Sequence, residues 1–204
     1  MPYNTNIPGH MSTQELAVIE QWAAQVPKNG VVVEVGSFFG RSAVCWAMSC
    51  DPSVEIICVD QFPTILQVPL SFKAHPGSPT PGVDYRLWDM FRDNTKEYPN
   101  ITPVRGLSPW KISYPGNLID LFFLDAAHTN PSDWDNIVYF STFLKPGAII
   151  AGHDYDSMFP DVVENVHRLE NIYNTKATFY KGGWLWSITI PNTNKLTDHI
   201  ITNK

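Results

Sequence analysis

The chain has few charges and few cysteines, and no long apolar run. Acidic and basic residues together make up only 17% of 204 residues, and they leave a net charge of -6. That balance disfavours tight non-specific binding to nucleic acid or to an anionic membrane surface. No stretch approaches the ~20 apolar residues of a membrane span. The opening MPYNTNIPGHMST lacks the basic start and apolar core of a secretory leader. Only Cys45, Cys50 and Cys58 are present, an odd number without metal-ligand spacing. They read as buried, inert thiols of a reducing, cytoplasmic compartment. The phosphate-binding lysine loop is missing, and so is Gly-x-Gly-x-x-Gly.

What is present is an alternation of strands and helices. Ser12 and Glu15 form a capping box ahead of Leu16, Ile19, Ala23 and Val26 at helical spacing. Residues 31–35 are a strand buried on both faces, 41–50 a helix, and 55–59 a second strand ending at Asp60. A helix is expected over 84–98, and strands over 101–104 and 119–124, the latter ending at Asp125. Asn130 and Pro131 read as cap and first turn of a helix over 131–144, stopped by Lys145-Pro146-Gly147. A fifth strand over 148–151 ends at Gly152-His153-Asp154, and Pro160 opens another helix. Segments 177–180 and 184–190 flank Lys181-Gly182-Gly183 as a hairpin. The fold expected is α/β and Rossmann-like. Its mainly parallel seven-stranded sheet ends in an antiparallel hairpin, with helices on both faces. Residues 1–204 read as one domain: an arm and helix over 1–26, and a proline-rich segment over 61–83 read as a lid or insert.

The run VVVEVGSFFGRSA, residues 31–43, carries two glycines just past the first strand and an acid before them. Ligands of open α/β sheets bind beyond the carboxyl ends of the strands. Gly36 and Gly40 let backbone and ligand approach closely, while Phe38 and Phe39 crowd out a pyrophosphate. Glu34 is placed to orient an ammonium group, and Asp60 to accept from ribose hydroxyls. An adenosyl group with an amino-acid tail needs both.

The segments VEVGSFFGRSA, IICVDQF, LIDLFFLDAAHT and FLKPGAIIAGHDY resemble class I S-adenosylmethionine-dependent methyltransferases. The likeness is strongest to a small family with Gly-x-x-x-Gly-Arg-Ser and His-Asp-Tyr motifs, related to antibiotic sugar O-methyltransferases. It spans about residues 30–170 and implies S-adenosyl-L-methionine as cofactor. Glu34, Gly36, Ser37 and Gly40 would line its methionine and ribose side. Asp60, Gln61 and Phe62 would hold the ribose, while Arg105, Gly106, Leu107 and Ser108 would approach the adenine. Asp125 and Asp154 match metal-holding acids of relatives, with His153 where some relatives have an acid. The ligand set expected is therefore Asp125, His153 and Asp154, for Mg or Mn. His128 is expected as general base, its ordinary pKa lying near neutrality, with Asp125 and His153 beside it in catalysis. The acceptor expected is a small polar or sugar-like molecule, with no nucleic acid or membrane partner. Its pocket is either open or completed in a homo-oligomer. Two alternatives remain at this level: a non-catalytic binder of the cofactor, or a non-methylating enzyme on the same scaffold.

Overall fold

The computed structural model describes residues 6–71, 78–180 and 183–191. Helix α1 (Thr13–Ala23) precedes strand β1 (Val31–Val35), α2 (Arg41–Ser49) and β2 (Glu55–Asp60). Two short strands follow, β3 (Leu66–Gln67) and β4 (Asp84–Tyr85), then α3 (Leu87–Thr95), β5 (Ile101–Arg105) and β6 (Ile119–Leu124). The chain continues through α4 (Ser132–Ser141), β7 (Leu144–Gly152), α5 (Pro160–Tyr173), β8 (Thr178–Phe179) and β9 (Trp186–Thr189).

Seven strands form one sheet in the order β5-β2-β1-β6-β7-β9-β8. Strands β5, β2, β1, β6 and β7 are parallel, and β9 runs antiparallel to both neighbours. The expected architecture is present. Successive strand residues alternate between two cores. Val32, Ile56, Leu121 and Phe123 pack under α1, α2 and α3, while Val33, Ile57, Phe122 and Ile150 pack under α4 and α5. The order reverses between β1 and β6, where the amide of Asp125 donates to the carbonyl of Val35 at 2.9 Å. That switch point opens a crevice at the carboxyl ends of the strands. Among the described residues, no helix is long and apolar enough to cross a membrane.

Four local expectations differ. The helix expected over 84–98 covers only Leu87–Thr95, because residues 84 and 85 form β4. The helix over 131–144 covers only Ser132–Ser141, because residues 144–147 already belong to β7. Lys145 holds Asp120 at 2.7 Å, and the amide of Gly147 donates to Ile190 at 3.1 Å. Asn130 does not cap α4; it exchanges amide hydrogen bonds with Asn165 at 3.2 and 2.9 Å. The proline-rich segment contributes β3, which pairs with β4 as a separate two-stranded ribbon. Residues 72–77, the turn residues 181 and 182, and the polar tail 192–204 lie outside the described residues. All three cysteines are free and buried, and burial pushes the thiols of Cys45 and Cys50 up to about 12 and about 11.

Candidate active site

A cleft of ≈ 850 Å³ lies over the ends of β1, β2, β6 and β7, a size suited to small-molecule ligands. Its cofactor half is built from turns. Gly36 sits at φ +95°, and a Cβ there would run into the backbone carbonyl of Asp125. The first glycine thus permits two strand ends to meet. Gly40, at φ +88°, starts α2 and backs onto Thr95 and Phe91 of α3; it does not line the cleft. The second glycine serves helix packing.

Asp60 ends β2 and lines the cleft. Its Oδ2 accepts from the amide of Phe38 and its Oδ1 from that of Phe62, each at 2.9 Å. Burial pushes its carboxyl up, against these amides. Each oxygen keeps acceptor capacity for a hydroxyl. Gln61, Ser37, Gly106 and Ser108 also line the cleft. Ser108 donates to the side chain of Asn136, an α4 residue that sequence reading did not single out.

Besides Gly40, three residues expected at the cofactor are elsewhere. Arg105 does not line the cleft and reaches Thr64 at 3.2 Å. Glu34 is wholly buried and does not line the cleft. It shares the face of β1 that carries Val32, so it points beneath α2, where the indole of Trp46 donates to it at 3.1 Å. Burial raises its carboxyl. Phe62 is wholly buried too, packed on Phe91 and Trp88 with ring centres 4.5 and 5.2 Å apart. Of the described part of 61–83, only Gln61 lines the cleft; neither Trp88 nor Trp110 does.

The other half gathers acids and imidazoles at the ends of β6 and β7. His153 is buried, with Nε2 at 2.9 Å from Glu15 Oε1 and Nδ1 at 3.0 Å from Asp154 Oδ2. Burial works against its charge, but Asp125, Asp154 and Glu15 outweigh it and raise the imidazole to about 11. Each ring nitrogen faces a carboxylate oxygen, so both are engaged as donors and neither is turned toward a metal. Glu15 is held at about 2 despite burial, by His153 and by the amides of Ser12 and Trp184. The capping-box acid is thus also the anchor of His153. Asp154 falls below its ordinary value despite burial, through His153 and His128. Asp125 rises to about 7, chiefly by burial.

His128 Nδ1 lies 3.2 Å from Asp154 Oδ2, and the side chain is 28% exposed at the cleft. Burial lowers its pKa, against Asp154. It is a neutral imidazole beside an ionised acid. The ring packs on Phe159, with centres 5.1 Å apart. Asp133, buried in α4, accepts from the amide of Ala127 at 3.3 Å and steadies the loop before His128. One ligand atom each from Asp125, His128 and Asp154 lies within 4.8 Å of the others. The candidate metal set therefore takes His128 where His153 was expected. Tyr155 packs on Phe179, with ring centres 4.2 Å apart, and Asp156 holds the turn at Met158.

A family model for a methyltransferase domain matches residues 33–155. The chain belongs to that family of class I S-adenosylmethionine-dependent methyltransferases. The methyltransferase also superposes on solved structures. The O-methyltransferase NovP aligns with a TM-score of 0.61 at 16% identity, over 87% of this chain and 80% of that one. CalS11, a TDP-rhamnose 3'-O-methyltransferase of calicheamicin biosynthesis, gives 0.56 at 16%, over 86% and 77%. A SAM-dependent O-methyltransferase from Thermotoga maritima gives 0.60 at 12%, over 89% and 66%. At these identities the likeness is one of fold. No curated protein matches the chain. The methyltransferase cleft suits its cofactor chemically: Asp60 offers acceptors for a ribose diol, and the buried Nε of Arg41 has no hydrogen-bond partner.

Proposed function

We propose that the protein methylates a hydroxyl of a small polar, sugar-like acceptor, with His128 as general base. The observation that carries this reading is the 3.2 Å contact of His128 Nδ1 with Asp154, at a partly exposed imidazole held neutral by burial. The activity of CalS11, on a TDP-linked sugar, supports a sugar-like acceptor.

When bound, the cofactor supplies a methyl group on a sulfonium. The residues that would hold it are Gly36, Ser37, Asp60, Gln61, Gly106 and Ser108. His128 donates Nδ1–H to Asp154, which leaves Nε2 with its lone pair to take the acceptor's proton. Asp154 stabilises the imidazolium that forms. His153 holds the same Asp154 oxygen at 3.0 Å, and Glu15 fixes His153. Phe159 and Trp184 make an apolar wall over these groups, with ring centres 6.2 Å apart. That wall suits the C–H face of a sugar ring and keeps water from the base.

A second reading rests on the grouping of Asp125, His128 and Asp154 around a space that fits one cation. Two carboxylates and an imidazole favour Mn²⁺ over Mg²⁺, which prefers oxygen alone. The ion would lower the pKa of the acceptor hydroxyl in place of a base.

A screen of nucleotide-linked and free sugars for methyl transfer supplies the acceptor, and His128→Ala and EDTA separate the readings. A base predicts a loss of at least about 100-fold in turnover with S-adenosylhomocysteine affinity kept, and no effect of EDTA. A metal predicts that EDTA abolishes turnover and Mn²⁺ restores it. Full turnover by His128→Ala in EDTA would sink both.

A further inference from the structure

Arg41 is the first residue of α2 and lines the cleft beside Gly36, Ser37 and Asp60. Its Nη1 donates to the carbonyl of Gly9 at 3.2 Å. The side-chain stem lies against Gly9, where a Cβ would come within 2.9 Å of Arg41 Cδ. The guanidinium is thus tethered at one corner. Its Nε is buried and has no hydrogen-bond partner. Among the described residues no carboxylate forms an ion pair with it.

The acid that acts on it most is Glu15, and Glu15 is fully engaged. Oε1 meets His153 and accepts from the amide of Trp184, at 2.9 and 3.1 Å. Oε2 accepts from the amide and hydroxyl of Ser12, at 2.8 and 2.9 Å. Those contacts use its acceptor capacity. The Nε edge of Arg41 is the edge that grips a carboxylate side-on through two parallel bonds. Burying it unpaired is costly.

A further observation points to the same space. Helix α2 has no side-chain cap, and its first intrahelical bond runs from the amide of Val44 to Gly40 at 2.9 Å. The amides of residues 41–43 are left to attract negative charge. Asp60 marks the ribose end at β2, so a nucleoside's extended tail runs past Gly36 toward this helix start.

We propose that the Nε/Nη2 edge of Arg41, with the start of α2, grips the carboxylate of the cofactor's amino-acid tail. Arg41 then takes over the tail recognition that Glu34, buried under α2, does not provide. The inference rests on the cofactor occupying this cleft, and the experiment separates the two claims. S-adenosylhomocysteine and 5'-methylthioadenosine, which lacks the amino-acid tail, are titrated calorimetrically into wild type, Arg41→Met and Arg41→Lys. Expected is roughly 10- to 100-fold weaker S-adenosylhomocysteine binding in Arg41→Met, with 5'-methylthioadenosine within about twofold. Arg41→Lys recovers part of the loss, because it keeps the charge without the fork. Unchanged S-adenosylhomocysteine binding in Arg41→Met overturns the tail anchor. An equal loss for both ligands does so too, since it would reflect only the shape of the wall at Gly9. Wild type that binds 5'-methylthioadenosine as tightly as S-adenosylhomocysteine keeps the cofactor site and removes the anchor; wild type that binds neither removes both.

Discussion

Glu15→Gln tests whether the first helix holds the cluster of acids and imidazoles at the ends of β6 and β7 together. Gln preserves size, but it offers one acceptor oxygen and a donor amide. With its oxygen on His153, the amide faces the N–H and hydroxyl of Ser12, both donors to Glu15 in the wild type. His153 keeps Asp154 at 3.0 Å and loses the acid at 2.9 Å. Stripping one partner from a buried charge pair costs about 3–5 kcal/mol. With Asp154 still in place we expect less than that, about 2–3 kcal/mol, or a drop of about 5–10 °C in Tm for a domain of this size. The pH dependence is distinctive. The folded-state pKa of Glu15 is depressed from 4.5 to about 2, so its contribution is complete above pH 4.5 and drains as pH falls toward 2. That of His153 is raised from 6.5 to about 11, so its contribution is complete below pH 6.5 and drains as pH rises toward 11. The gap between wild type and variant is therefore widest from about pH 4.5 to 6.5 and narrows in acid. Thermal melts at pH 3, 6 and 10, read by circular dichroism, measure it. A drop under 1 °C at pH 6, or a gap as wide at pH 3 as at pH 6, would refute the coupling.

Two further substitutions probe the cofactor half. Gly36→Ala forces a left-handed backbone on alanine and drives its Cβ into the Asp125 carbonyl, so urea unfolding should show a loss of at least about 3 kcal/mol. A wild-type midpoint would mean that the turn does not need glycine. Asp60→Ala should weaken S-adenosylhomocysteine about 10- to 100-fold by calorimetry, with Asp60→Asn between the two. Equal affinities would place the ribose elsewhere.

The sheet was legible because every parallel strand is a short β-branched or apolar run closed by an acid or a glycine. Strand periodicity held more than was drawn from it. Val32 and Glu34 share a face, and that parity alone sends Glu34 under α2 with the core residues around Trp46. Its place beside the glycine suggested a ligand instead. Phe62 was misplaced likewise: an apolar side chain after a polar strand end turns into the core. Asp60, Asp125, His128, His153 and Asp154 converge because strand ends in a parallel sheet must meet on one edge. Glu15 stood out in the sequence only as a helix cap. Its second role depends on His153, 138 residues away, and no local pattern announces such a contact. Asn136 is silent for the same reason: an asparagine inside a helical run reads as surface until Ser108 is laid against it.

The two halves of the cleft come from different parts of the chain. Gly36, Asp60 and Gly106 belong to the central run that builds the sheet, and their positions are locked by backbone contacts between strands. Other lining residues come from outside the parallel strands: Gly9 and His10 precede α1, and Gly183 and Trp184 precede β9. Segments outside the parallel strands can exchange side chains without disturbing strand pairing. Such an arrangement lets the rim of the cleft change while the glycine turn and the strand ends stay fixed, so one sheet can carry differently shaped pockets.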